Sequence, residues 1–103
     1  MRTIQQVSFK GASPVPAHRH LNPDGSEGGF VAETATVAPT AYIGHEASVF
    51  DGAIVYGEAR VSGEASVFGK ASVSGEARVY GKAIVSGEAS VFGGARVFGG
   101  RIQ

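Results

Sequence analysis

An all-β solenoid is the fold predicted for residues 31 to 103, and three observations carry the prediction. The segment divides into twelve hexads from VAETAT to VFGGRI with no break in the period of six. The first slot of each hexad is Val, except for Ile43, and the fifth is Ala from Ala35 through Ala95, giving way only at Arg101. Glycine fills the third slot from Gly57 to Gly99. Across the hexad boundary, Ala-x-Val-x alternates small and branched apolar residues with variable ones, the period-two pattern of a strand with one buried face. Glycine supplies the positive φ of a tight corner, and the residue after it, often Glu or Lys, stays in water. A six-residue spacing would rotate steadily around an α-helix and leave no consistent apolar stripe, so a helical reading fails. Short strands that turn every six residues must coil.

Residues 1 to 30 carry no repeat. MRTIQQVSF reads as a strand, and the following GASPVPAHRHLNPDGSEGG is rich in Pro and Gly, with a strong turn signal at Pro23, Asp24 and Gly25. The expected division is an arm or cap over 1–30 and a repeat domain over 31–103. A cap has a physical purpose, because a solenoid end exposes unpaired strand edges and an open core.

The V-x-G-x-A-x hexads resemble the hexapeptide-repeat family of left-handed parallel β-helices. The resemblance implies that three hexads close one triangular coil of 18 residues, giving about four coils here, with a left hand and assembly into trimers about an axis parallel to the prism. In that family the small residue usually follows the aliphatic one directly, as Gly44 follows Ile43; here glycine mostly comes one place later. This variant, with its Gly28-Gly29-Phe30-Val31 lead-in, looks like a group of small phage and prophage proteins.

Stacking by 18 residues sets side chains 18 apart at one strand spacing, about 4.8 Å. One face then carries Tyr42, Arg60, Arg78 and Arg96 in a column, beside Gly44, Ser62, Tyr80 and Phe98. A second carries Phe30, Ser48, Ser66 and Ile84 beside Ala32, Phe50, Phe68 and Ser86. A third carries Thr36, Ile54, Ser72 and Ser90 beside Ala38, Tyr56, Ser74 and Phe92. Phe50 over Phe68 would form an apolar patch that soluble monomers seldom expose, so the sequence predicts burial of outward aromatics by assembly. The arginine column needs its mutual repulsion offset. Glu58 and Glu76 at the adjacent corner, or carboxylates of a neighbouring subunit, are one answer. An anionic ligand is the other, because guanidinium groups grip phosphate and the rings of Tyr42, Tyr80 and Phe98 suit a base. Gly94 replaces the corner Glu beside Arg96, leaving that guanidinium with the fewest local partners.

Nine Lys and Arg balance nine Asp and Glu, so no overall charge draws the chain to a nucleic-acid duplex or a membrane. Without cysteine there is no disulfide framework or thiol chemistry. The start has no apolar signal-peptide core, and no run is long enough to span a bilayer, so a cytoplasmic location, host cytoplasm for a phage protein, is expected. His45 lies at a repeat corner, where the acyltransferase branch of the resembled family implies a general base; His18, His20 and His45 make the number that its metal-binding branch uses. No loop interrupts the coils to build a coenzyme pocket, and Gly-rich phosphate loops, Ser-His-Asp spacings and paired carboxylates are missing. The expectation is therefore a homotrimer that catalyses nothing, needs no cofactor, and binds an anionic small molecule such as a nucleotide through Arg60, Arg78, Arg96, Tyr42, Tyr80 and Phe98. A purely structural trimeric module and an acyltransferase are the alternatives.

Overall fold

The computed structural model describes residues 4–9 and 13–102. Three sheets of short strands wind into a solenoid of about four coils, and the described residues contain no α-helix. The arm sheet orders β1 (Gln5–Val7), β2 (Val15–Leu21), β3 (Glu27–Ala32), β6 (Ser48–Val49), β9 (Ser66–Val67), β12 (Ile84–Val85) and β15 (Arg101–Ile102). The neutral sheet stacks β4 (Thr36–Val37), β7 (Ile54–Val55), β10 (Ser72–Val73) and β13 (Ser90–Val91). The arginine sheet stacks β5 (Tyr42–Ile43), β8 (Arg60–Val61), β11 (Arg78–Tyr80) and β14 (Arg96–Phe98).

Within the coils all pairing is parallel, and residues 18 apart are partners, as in Thr36↔Ile54, Tyr42↔Arg60 and Ser48↔Ser66. Every first-slot residue from Val31 to Val85 except the partly buried Val37 is at most 1% exposed, and the alanines from Ala53 to Ala83 are fully buried. The predicted core is thus the observed one. Glycines 57 to 99 in the third slot have φ between 62° and 72°, and Asp51, which holds that slot one hexad earlier, adopts the same left-handed geometry at φ 59°. Short polar side chains tolerate this region better than branched ones. The corners also bond along the axis: the amides of Glu58 and Glu76 donate to the carbonyls of Gly75 and Gly93 at 2.8 and 2.9 Å. A Cβ on Gly75 would lie 3.0 Å from the amide nitrogen of Gly93, so corner backbones stack too closely for a side chain.

The period slips once. Arg101 and Ile102 pair with Ile84 and Val85, an offset of 17, and Ile84 donates its amide to Gly100. An unbroken period would set Gln103 over Val85; shortening the last corner by one residue brings the apolar Ile102 there instead. This corrects the unbroken period read from the sequence.

Residues 13–30 form a hairpin on the first coil. β2 runs antiparallel to β3, with Ala17↔Ala32 and His18↔Val31, and β1 runs antiparallel to β2. The strand expected over 1–9 is found at Gln5–Val7; residues 1–3 lie outside the described residues. The Pro23–Asp24–Gly25 turn closes the hairpin, with Gly25 at φ 88° donating to the Asn22 carbonyl. Side chains from this hairpin finish the exposed edge of the arginine sheet. Asn22 accepts from the amide of Ile43 at 2.8 Å and donates to its carbonyl at 3.1 Å, imitating a strand, while His20 Nε2 donates to the Ala41 carbonyl at 2.8 Å. Each such bond satisfies an edge group that burial would otherwise leave at a cost of about 1–3 kcal/mol.

The Phe50–Phe68 pair departs from expectation. Its rings stack at 4.7 Å, but Phe9 continues the stack over Phe50 at 4.6 Å, leaving Phe50 only 7% exposed. The pair points out of the prism, as the register requires, and is covered by the chain's own arm; no second subunit is needed to bury Phe50.

Candidate functional site

The arginine sheet brings the predicted site residues together. Tyr42, Arg60, Arg78 and Arg96 are successive partners on β5, β8, β11 and β14, and Tyr80 pairs with Phe98 in the neighbouring column. Each arginine occupies the sixth slot of its hexad, next to a valine that is fully buried at 61 and 79 and partly buried at 97, so the pleat drives it outward; all three are exposed. The Arg60 guanidinium lies 5.6 Å from the centre of the Tyr42 ring, a cation–π contact, and the rings of Tyr80 and Phe98 meet at 4.9 Å with a tilt of 37°.

Beside the column runs a groove of about 640 Å³. Arg60, Arg78 and Arg96 form one wall, and the corner residues Thr40, Glu58, Glu76 and Gly94 form the other. Tyr42 and the Pro23–Asp24 turn close one end. A smaller hollow of about 260 Å³, lined by Ser62 and Tyr80 together with the same three arginines, lies on the other flank. The guanidinium groups therefore separate two concave surfaces and are reachable from both.

Among the described residues the ladder has carboxylates nearby but no ion pair. Among the described residues neither Glu58 nor Glu76 forms an ion pair with any of the three arginines, so the local carboxylate pairing anticipated from the sequence is not made. Asp24 sits at the closed end. The Ser26 hydroxyl and amide donate to it at 2.6 and 2.9 Å, and these bonds hold its carboxyl below the usual carboxylate range, with a smaller contribution from Arg60.

The histidines go elsewhere. His18 pairs with Glu33 through Nδ1, and His20 is buried with its ring bonded to the Ala41 carbonyl. Desolvation lowers the His20 pKa, overriding that hydrogen bond, which acts to raise it. His45 is exposed on the opposite edge of the arginine sheet from Glu58, where Arg19 Nη1 approaches its Nδ1 at 3.3 Å. The described residues hold no cluster of three His, Asp or Glu side chains able to bind a metal, so His18, His20 and His45 are not gathered into a ligand set.

Three groove residues escaped the sequence reading: Pro23, Asp24 and Thr40. Their turn and corner were visible locally; that the hairpin folds back to set Asp24 at the foot of the ladder depends on the antiparallel β2–β3 pairing. No protein-family model, curated protein or solved structure matches the chain.

Proposed function

We propose that the protein is a non-catalytic homotrimer that binds an anionic small molecule, such as a nucleotide signal, beside the arginine column, and that its repeat is a phage-type variant of the hexapeptide class. One observation carries the reading: three guanidinium groups in register line a groove without an ion pair to any described residue. Exposed like charges at strand spacing repel, and a phosphate held bidentately by two of them converts that repulsion into binding. Tyr42 offers a ring face to a base in the groove, and Tyr80 offers one in the hollow on the other flank, whereas Phe98 lines neither.

The trimer is supported by the neutral sheet. Its outward columns contain no charged residue, and Ile54, Tyr56 and Phe92 are 41%, 49% and 66% exposed. An uncharged apolar face of this kind fits a second copy of itself. The corner with Glu58 and Glu76 joins the neutral sheet to the arginine sheet, so packing through the former sets the groove at a subunit boundary. The same face also favours a purely structural trimer as the second reading.

The two readings separate in one experiment. Light scattering should return about three times the 10.5 kDa chain mass. Inorganic pyrophosphate and nucleoside monophosphates, each in thermal shift, should raise the melting temperature of a binder. At a hundredfold excess over Kd the stabilisation is about 2.7 kcal/mol, on the order of 10 °C for a chain of this size. A trimer unaffected by every anion is a spacer, and a 10.5 kDa particle at micromolar concentration removes the subunit groove.

A further inference from the structure

The groove is cationic on one wall only, and its acidic wall is graded. The corner column reads Thr40, Glu58, Glu76, Gly94, one residue per coil, and the hairpin turn adds Asp24 at the Tyr42 end. Carboxylates thus accumulate around Arg60 and vanish beside Arg96. A site for a bare polyanion gains nothing from Asp24, Glu58 and Glu76, because each repels the ligand. They suit a ligand that is anionic at one end and donates hydrogen bonds at the other.

Resting on the anion reading above, we propose that the ligand is a guanine nucleotide bound lengthwise in this groove. The phosphate lies on Arg96, where Gly94 leaves no carboxylate at the corner, with Arg78 and Glu76 one coil away, and the base lies over Tyr42 with its edge toward Glu58. Guanine presents two adjacent donors, N1–H and the 2-amino group, which match the two oxygens of one carboxylate in a charge-assisted pair. Adenine presents the acceptor N1 next to its amino group, so one contact with Glu58 turns repulsive. Glu58 and Gly94 are two coils apart, roughly 10 Å at strand spacing, a length suited to the reach of a purine nucleotide from phosphate to base edge. Sites that hydrogen-bond a ligand's donors discriminate strongly against analogues lacking them, because their polar groups are left unpaired.

Calorimetric titration of the intact protein with guanosine 5′-monophosphate, adenosine 5′-monophosphate and inorganic pyrophosphate tests this. The parent protein should prefer the guanine nucleotide over the adenine one at least tenfold. Glu58→Ala should weaken the guanine nucleotide about tenfold while leaving the adenine nucleotide and pyrophosphate unchanged or tighter, since a like charge has been removed. Glu88→Ala, at an exposed corner between the other two sheets, should change none of them. Equal binding of the two nucleotides by the parent, or equal tightening of both in Glu58→Ala, overturns the guanine assignment and leaves the anion site standing. Failure of all three probes to bind overturns both. Should Glu58→Ala not fold, the ranking by the parent protein decides alone.

Discussion

Replacing Arg78 by Gln tests the ladder most directly, because the ligand and pairing readings predict opposite signs. Arg78 is the middle member, paired in register with Arg60 on one side and Arg96 on the other. At about 5 Å in water each like neighbour costs roughly 0.8 kcal/mol, and physiological salt screens this to about half. Two neighbours therefore cost the free protein about 1 kcal/mol. Glu58 and Glu76 line the same groove without pairing to Arg78, so their attraction returns only part of this. Glutamine keeps much of the aliphatic packing of the stem. The expected result is a melting temperature unchanged or raised by about 1–4 °C in low salt, the rise vanishing near 1 M salt, together with at least a tenfold loss of pyrophosphate or nucleotide affinity. Differential scanning calorimetry across a salt series, paired with titration calorimetry, reads both quantities. A fall of several degrees, or a weakened trimer, would show that Arg78 is paired with a carboxylate across a subunit boundary. Combined with anion binding that does not change, that result refutes the site.

Three further outcomes follow from the fold. Phe9→Ala removes the ring stacked on Phe50 and should destabilise the chain by about 3 kcal/mol while raising the fluorescence of a hydrophobic dye; an unchanged melting temperature would mean the arm does not cover the phenylalanine column in solution. Val67→Asp places an unpaired carboxylate at a fully buried position and should abolish cooperative folding, since several kcal/mol are lost from a total of roughly 5–15; a soluble variant that melts cooperatively contradicts the inward register. His20 is buried with its pKa lowered from 6.5, so as pH falls below about 6.5 the unfolded chain takes up a proton that the folded chain resists, and stability should decline from pH 7 toward pH 5. His20→Gln, which retains a donor for the Ala41 carbonyl, should flatten that slope, and an equally steep slope in the variant would assign the pH dependence to another group.

The coil was legible from residues 31 to 100 because slots one, three and five answer to strictly local demands: a branched side chain inward, a positive φ at the corner, a small side chain beside it. The placement of Tyr42, Arg60, Arg78 and Arg96 in one column then follows from arithmetic, and the pairing agrees. Non-local contacts were not legible. Nothing around Phe9 in the chain announces that its ring will stack on Phe50 some forty residues away, so the sequence reading assigned the covering of Phe50 to assembly and missed the arm. Asn22 posing as a strand against Ile43, and Asp24 reaching the foot of the ladder, likewise depend on the hairpin folding over the first coil. Glu58 and Glu76 show the opposite error. Adjacency in the sequence offered ion pairs as one answer, but Glu58 and Glu76 line the groove beside the arginines without forming one.

The ladder has a different period from the repeat that builds the fold. Folding requires a repeat of six, and the sixth slot is free of that requirement: serine fills it at 48, 66, 72 and 90, and isoleucine at 54 and 84. Arginine in that slot appears only at 60, 78 and 96, a repeat of 18, which confines it to a single sheet. Duplication of one hexad would scatter arginine over all three faces. Duplication of a whole coil would keep it on one, but would carry the corner residue along, and the corner changes from Glu58 and Glu76 to Gly94 while the arginine stays. Serine in place of arginine would relieve the repulsion and leave every buried contact intact, as Ser66 and Ser72 demonstrate on the other two sheets. The core does not require this column, and arginine stays at 96 where the corner carboxylate has given way to Gly94; the proposed anion site supplies a reason for both, and the Arg78→Gln measurement tests it.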